Sequence, residues 1–305
     1  MARSRSLLGC LGEHAAARPE SAALVMGHER VSYAELCARS LAAYTRIDAL
    51  GLPRGARVAV HATKSIHTVA VIVACLAARR PFLLPATDLG ADVMDSLLAR
   101  ARCSDVLTVV ADPEHVTGER VHLIDCTPID GLEVADAGEP LTGSPDDVCV
   151  LLTTSGSPGP PTVVPLSFGA IEDFTDWAVD RFGIGPGTSV LNYAPFNVDQ
   201  CLLDIRATLK AGGTTVLVEP ERATDGPYLA ELLRANKIDI VQSSPALFAL
   251  LARVRPAPFT DVRHVILNGD PPPACLLDQL PCLFPSATLH FDADEVFTLA
   301  TAGRD

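Results

Sequence analysis

The chain has 305 residues, 48% of them hydrophobic, and a formal net charge of −13 from 24 Lys and Arg against 37 Asp and Glu. This composition supports a buried core and excludes wholesale disorder. It also lacks the clustered cations that a nucleic-acid groove requires, so no nucleic-acid partner is expected. In chain order, residues 57–62 (RVAVHA) read as a buried strand and 67–80 as an apolar helix with a cationic end. Residues 81–86 read as a second strand, 91–102 as an amphipathic helix with acids early and arginines late, and 105–111 as a third strand. Residues 136–147 (DAGEPLTGSPDD) have the polar, Gly- and Pro-bearing composition of a linker. Alternation then resumes, with strands at 148–154, 189–195, 213–219, 238–244 and 262–270. The intervening helices fall at 167–183, 198–212, 225–237, 246–254 and 274–284. Phe174 and Trp177, at i and i+3 on the first of these, read as core.

Short strands separated by helices imply parallel sheets covered on both faces. The expected fold class is therefore α/β, with two doubly wound parallel-sheet subdomains over residues 1–142 and 143–305. Nine cysteines without a CxxC pair read as free thiols in a reducing cytoplasm. The start of the chain is too weakly apolar for a signal peptide. The longest apolar run, residues 68–78, falls short of the ~20 residues that cross a bilayer, so no membrane partner is expected.

Open α/β sheets bind ligands at the carboxyl ends of their strands. The loops that follow predicted strands are 153–163, 194–201, 242–246, 268–272 and 290–295. Residues 154–164 (TSGSPGPPTVV) are rich in Gly and hydroxyls, the composition of a phosphate-holding anion nest, yet carry no Lys or Arg.

Taken together, several stretches resemble the N-terminal domain of the AMP-forming adenylating enzymes, the superfamily of acyl-CoA synthetases, luciferases and nonribosomal peptide synthetase adenylation domains. Residues 30–44 (RVSYAELCARSLAAY) resemble its Thr-Tyr-x-Glu-Leu motif, and 75–109 the region around its LKAGAAYVPLDP. Residues 154–164 resemble its TSGSTGxPKGV loop, and 196–199 (FNVD) its FDxS. Residues 267–273 (LNGDPPP) resemble GGExLP, and 290–297 (HFDADEVF) fall where the family has NxYGPTE. The resemblance implies ATP and Mg²⁺ as cofactors. Thr154, Ser155, Gly156, Ser157 and Gly159 would hold phosphate, Phe291 would stack on adenine, Asp294 would face the α-phosphate and Glu295 would bind the metal. Asn197, Val198, Cys201, Gln242, Asn268 and His290 would line the pocket for a small-molecule carboxylate.

The departures from that pattern carry equal weight. The family's loop lysine falls at Thr162, its next glycine at Val163 and its second hydroxyl at Pro158. Asp294 replaces a threonine, and Asn197 stands where amino-acid-activating members place an aspartate for the ammonium. The family continues through a β-barrel and a lysine-bearing C-terminal domain, whereas this sequence ends at Asp305. The expectation is a truncated, degenerate homologue. It would show weak or no carboxylate activation alone, and act as a binding or partner module in nonribosomal-peptide-like biosynthesis, self-associating or docking a protein that replaces the missing domains. Two alternatives stand beside it: an active or split AMP-forming ligase, and, remotely, a glycosyltransferase holding a metal through the 292–294 acidic pair. Ser155 and Ser157 lack the GxSxG context of a nucleophile, and Cys201 reads as a pocket wall.

Overall fold

The structure, a computed structural model, describes residues 6–109, 120–132, 143–153, 162–269 and 271–292. The chain divides into two compact units. One comprises Met1–Ser21, Val31–Glu172 and Phe196–Val198, the other Ala22–Arg30, Asp173–Pro195 and Asp199–Asp305.

The first unit is built on a six-stranded sheet of order β6-β5-β3-β4-β7-β8, with β3 Arg57–Val60, β4 Phe82–Leu83, β5 Cys103–Thr108, β6 Val121–Leu123, β7 Val148–Thr153 and β8 Val163–Ser167. Its helices are α1 (Leu7–Ala17), α2 (Tyr33–Ala49), α3 (Ile66–Ala77) and α4 (Ala91–Ala101). Ser32 and Glu35 form a reciprocal capping box that starts α2, satisfying two amide donors which a helix N-terminus otherwise leaves unpaired. Ser65 caps α3, whose apolar residues are buried along most of its length, against α1 and α2. A core of Ala59, Leu83, Leu97, Ala101, Val106 and Leu151 lies beneath α4. The described part of the expected linker, residues 143–147, is tied down: Arg79 donates to Ser144 O and to Asp147, and stacks over Phe168 at 4.0 Å.

The second unit is built on a seven-stranded sheet of order β13-β12-β11-β9-β10-β1-β2. Its strands are β1 Ala22–Met26, β2 Glu29–Ser32, β9 Ser189–Asn192, β10 Thr214–Leu217, β11 Ile240–Ser243, β12 His264–Asn268 and β13 Thr288–Asp292. Leu191, Val216, Val241, Val265 and Leu267 face a large core completed by α7 (Gly226–Ala235), α8 (Pro245–Val254), α9 (Ala274–Leu277) and α10 (Leu280–Leu283). On α5 (Phe168–Phe182), Phe174 is fully buried and Trp177, packed 5.6 Å from it, is half-buried. The segment after β9 opens as a π-helical turn, Leu202–Ala207, and tightens into α6, Thr208–Ala211. Gly212, at φ 85°, ends it in the left-handed conformation that glycine adopts without strain.

The α/β class and the two parallel-strand sheets match the sequence reading, with three differences. The sheets do not change over at residue 143: β7 and β8 lie in the first sheet, and β1 pairs with β10 in the second. β8 runs antiparallel to β7, where parallel pairing was expected. The expected helix at 274–284 is two short ones, broken where Pro281 starts the second. Among the described residues no helix is long and apolar enough to cross a membrane.

Candidate substrate and nucleotide site

Among the described site residues, Gln242 lies within β11, Asn268 ends β12 and His290 lies within β13 rather than in the loop expected at 290–295. In the first unit, β7 and β8 close as a hairpin with Thr153 opposite Val163. Thr162 stands exposed immediately before β8. Thr154, Ser155, Gly156, Ser157 and Gly159 lie outside the described residues, as do Asp294 and Glu295. In the same unit, Lys64 lies over the Phe196 ring, 5.8 Å from its centroid. The two residues that follow, Asn197 and Val198, are half-buried.

In the second unit the strand register sets out a polar row. Asn192 is paired with Gln242, Gln242 with Ile266, and Ile266 with His290. Residues in register across parallel strands point to one face, so Asn192, Gln242 and His290 share the face opposite the α7–α8 core. Asn268, two residues beyond Ile266, shares it too and is 9% exposed. Gln242 is 2% exposed, and its Oε1 accepts no hydrogen bond from any described residue. A buried amide oxygen left this way costs about 1–3 kcal/mol, which a protein retains where a ligand or water completes it. Ser243 Oγ, turned to the other face, is likewise buried without a partner among the described residues.

Asn192 Nδ2 donates to Asp204 Oδ2 at 3.2 Å and contacts Cys201 Sγ at 3.7 Å. Asp204 and Arg206 are inside the protein, at 0% and 5% exposure, and the Arg206 Nε–H donates to Thr175 Oγ1. The π-turn thus carries two charged residues inward within an apolar run, and Asn192 fastens it to the end of β9. The Cys201 thiol donates to Pro195 O at 3.3 Å.

At β12 and β13, His264 Nδ1 and His290 Nε2 are 3.2 Å apart, and Phe182 packs edge-on to both rings. Burial, and then nearby positive charge, hold both imidazoles below their usual range. Phe291, the next residue on β13, is 58% exposed. Among the described residues no group of three or more His, Cys, Asp or Glu is placed to hold a metal.

Asn192, Asp204 and His264 are the residues that motif reading passed over. Their signal was local: a polar residue ending the apolar strand SVLN, acid and base within LLDIRA, and a histidine opening HVILN. None belongs to a spaced motif.

The profile of the AMP-binding enzyme family matches residues 11–291. An L-proline–[L-prolyl-carrier protein] ligase of Pseudomonas fluorescens is 30% identical over 250 residues, which cover 78% of this chain and 50% of that protein. A D-alanine–D-alanyl carrier protein ligase of Bacillus licheniformis is 24% identical over 298 residues, covering 92% and 57%. The chain spans about half the length of these curated relatives. Among solved structures, the AMPPNP-bound nonribosomal peptide synthetase FmoA3 superposes with a TM-score of 0.80 at 23% identity, over 96% of this chain and 32% of that one. The N-terminal subdomain of Klebsiella oxytoca NpsA, in complex with 3-hydroxybenzoyl-AMSN, gives 0.79 at 18% identity, over 94% and 71%. These likenesses establish the fold, and the profile match over nearly the whole chain establishes the family: the chain belongs to the AMP-binding enzymes.

Proposed function

We propose that this chain binds a small polar carboxylic acid, handles ATP and Mg²⁺ weakly, and serves as a binding or partner module in carrier-protein-dependent, nonribosomal-peptide-like biosynthesis. The observation that carries this reading is Thr162, exposed and uncharged at the base of the β7–β8 hairpin, where the family's lysine falls. A charge-assisted contact to phosphate is worth about 1.5–3 kcal/mol, so its loss weakens nucleotide binding by roughly ten- to a hundredfold. Residues 154–159 would still offer amides and hydroxyls to phosphate, Phe291 a face to adenine and Glu295 a carboxylate to Mg²⁺. Asp294 would repel the α-phosphate unless the metal lies between them. Asn197, Val198, Cys201, Gln242, Asn268 and His290 are the residues proposed to contact the acid.

The relatives' names, both carrier-protein ligases, support a protein partner. Nine unbridged cysteines support a reducing compartment such as the cytoplasm. Self-association beside residues 265–305 belongs to the same proposal, motivated by the exposed Phe291 on β13. A stable monomer in sedimentation at micromolar concentration, with no partner recovered, removes that part.

A second reading, an active ligase for an amino acid, is favoured by Asp199. This half-buried carboxylate, two residues beyond Asn197, offers an ammonium the counter-charge that Asn197 lacks. Calorimetric titration with ATP–Mg²⁺ and with AMP, alongside pyrophosphate exchange across carboxylic and amino acids, separates the two. Weak nucleotide binding with little exchange supports the first. Robust exchange with an amino acid, abolished in Asp199→Asn, refutes it in favour of the second.

A further inference from the structure

His264 has no counterpart among the expected site residues, yet it makes the closest polar contact to one of them. It lies opposite Thr288, and His290 opposite Ile266, so the two histidines meet diagonally on one face of the β12–β13 pair. The Phe182 ring, its centroid 5.4 and 5.3 Å from the centroids of the two imidazoles, packs against both and leaves little freedom for either. Arg181 from α5 and Arg263 from the start of β12 face the pair, and Asp239 from the start of β11 is already engaged by Arg263 Nε at 2.8 Å. These cations and the burial keep both rings neutral near pH 7, so one hydrogen bridges the two nitrogens.

Two arrangements satisfy that hydrogen. In one, His264 Nδ1–H donates to His290 Nε2, which requires both rings to take the less stable Nδ1–H tautomer. In the other, His290 Nε2–H donates to His264 Nδ1, and both rings keep the Nε2–H tautomer that free histidine prefers. Only the second leaves His290 Nδ1 as a bare acceptor. Gln242 Oε1, on the same face, is a second acceptor without a described donor.

We propose that His264 is a positioning residue: by accepting from His290 Nε2 it fixes that ring with Nδ1 bare, so the site favours acids whose side chains donate a hydrogen bond. This rests on the reading of His290 as a site residue. The first test is independent of that reading. Two-bond ¹H–¹⁵N correlation spectra of the labelled protein should show His290 protonated at Nε2 and bare at Nδ1. His264→Asn, whose Oδ1 replaces the Nδ1 acceptor, should keep that signature, and His264→Leu should release His290 into exchange between tautomers. A wild-type His290 protonated at Nδ1, or a His264→Leu spectrum like wild type, overturns the proposal. The second test compares serine with alanine, and 3-hydroxybutyrate with butyrate, by calorimetry. A preference for the hydroxylated acid of about tenfold, as one neutral hydrogen bond supplies, should appear in wild type and His264→Asn and vanish in His264→Leu. Equal affinities in wild type overturn the selectivity. Absence of any acid binding, with the expected tautomer, sinks the site reading while the imidazole pairing stands.

Discussion

Replacing Asn192 by Asp is an isosteric change that exposes the electrostatics beneath the candidate site. In the native protein Asn192 Nδ2 donates to Asp204 Oδ2 at 3.2 Å, and both residues are fully buried. In Asn192→Asp two carboxylates would stand at that separation, repelling by about 5 kcal/mol at an effective dielectric of 20. Protonating one of them is cheaper: at pH 7 a carboxyl with an ordinary pKa near 3.9 costs about 4 kcal/mol to protonate. That value is the ceiling on the destabilisation, because the protonated partner then donates the missing hydrogen bond. The folded-state pKa of the new pair is raised above its unfolded value. Its contribution to stability is therefore greatest at low pH and is lost as pH rises through the raised pKa. Urea denaturation should show Asn192→Asp destabilised by up to about 4 kcal/mol at pH 7 and by only ~1.5 kcal/mol at pH 5. Asn192→Leu, which removes one donor from Asp204 Oδ2 without adding a second carboxyl, should cost about 1–3 kcal/mol and vary less between pH 7 and pH 5 than Asn192→Asp. Equal, pH-independent losses in the two variants would refute the reading of Asp204 Oδ2 as the acceptor that holds Asn192 Nδ2.

Three further variants test other parts of the molecule. Thr162→Lys with Asp294→Thr should tighten ATP–Mg²⁺ binding roughly tenfold or more by calorimetry, and unchanged affinity would show that the pocket has lost more than charge. Asp105 accepts from Ser104 Oγ at 2.7 Å and His122 Nε2 at 2.9 Å; burial raises its pKa, but these bonds and Arg120 outweigh it and leave the carboxyl lowered. Asp105→Asn should then cost about 1–3 kcal/mol at pH 7, discounted because Arg120 is largely exposed, with the deficit closing as pH falls below the unfolded value near 3.9 and through the folded one. Gly213→Ala would bring a Cβ within 2.9 Å of Thr188 O, an immovable backbone atom, and should cost about 1–3 kcal/mol in chemical denaturation.

What the sequence disclosed and what it withheld follow from the range of the interactions. Strands such as HVILN, and helices such as the capped α2, announce themselves because apolar period and capping residues lie within a few positions of one another. The second sheet's far edge does not. Thr214 Oγ1 donates to Ala22 O across 192 positions, a pairing that no local window contains. β4 was legible as extended but shrinks to Phe82–Leu83, because prolines at 81 and 85 remove donors at both ends.

The same division of range governs the site. Motif spacing placed Gln242, Asn268 and His290 at strand ends, since each terminates an apolar run, but their common face is a property of register. Register depends on how β9, β11, β12 and β13 stack, and a one-residue slip would turn the whole row away. On the proposed reading, a residue that fixes ring orientation beside the row would matter to recognition without touching any ligand. His264 is such a residue: it is polar, it lies 3.2 Å from His290 Nε2, and it stands at no motif position. A screen of substitutions confined to Asn197, Cys201, Gln242 and Asn268 would therefore misassign selectivity. The discriminating comparison is a pocket substitution in the wild-type background against the same substitution in His264→Leu. Additive changes in acid affinity would mean that the row and its support act separately, whereas a coupling confined to His290 substitutions is what the paired imidazoles require.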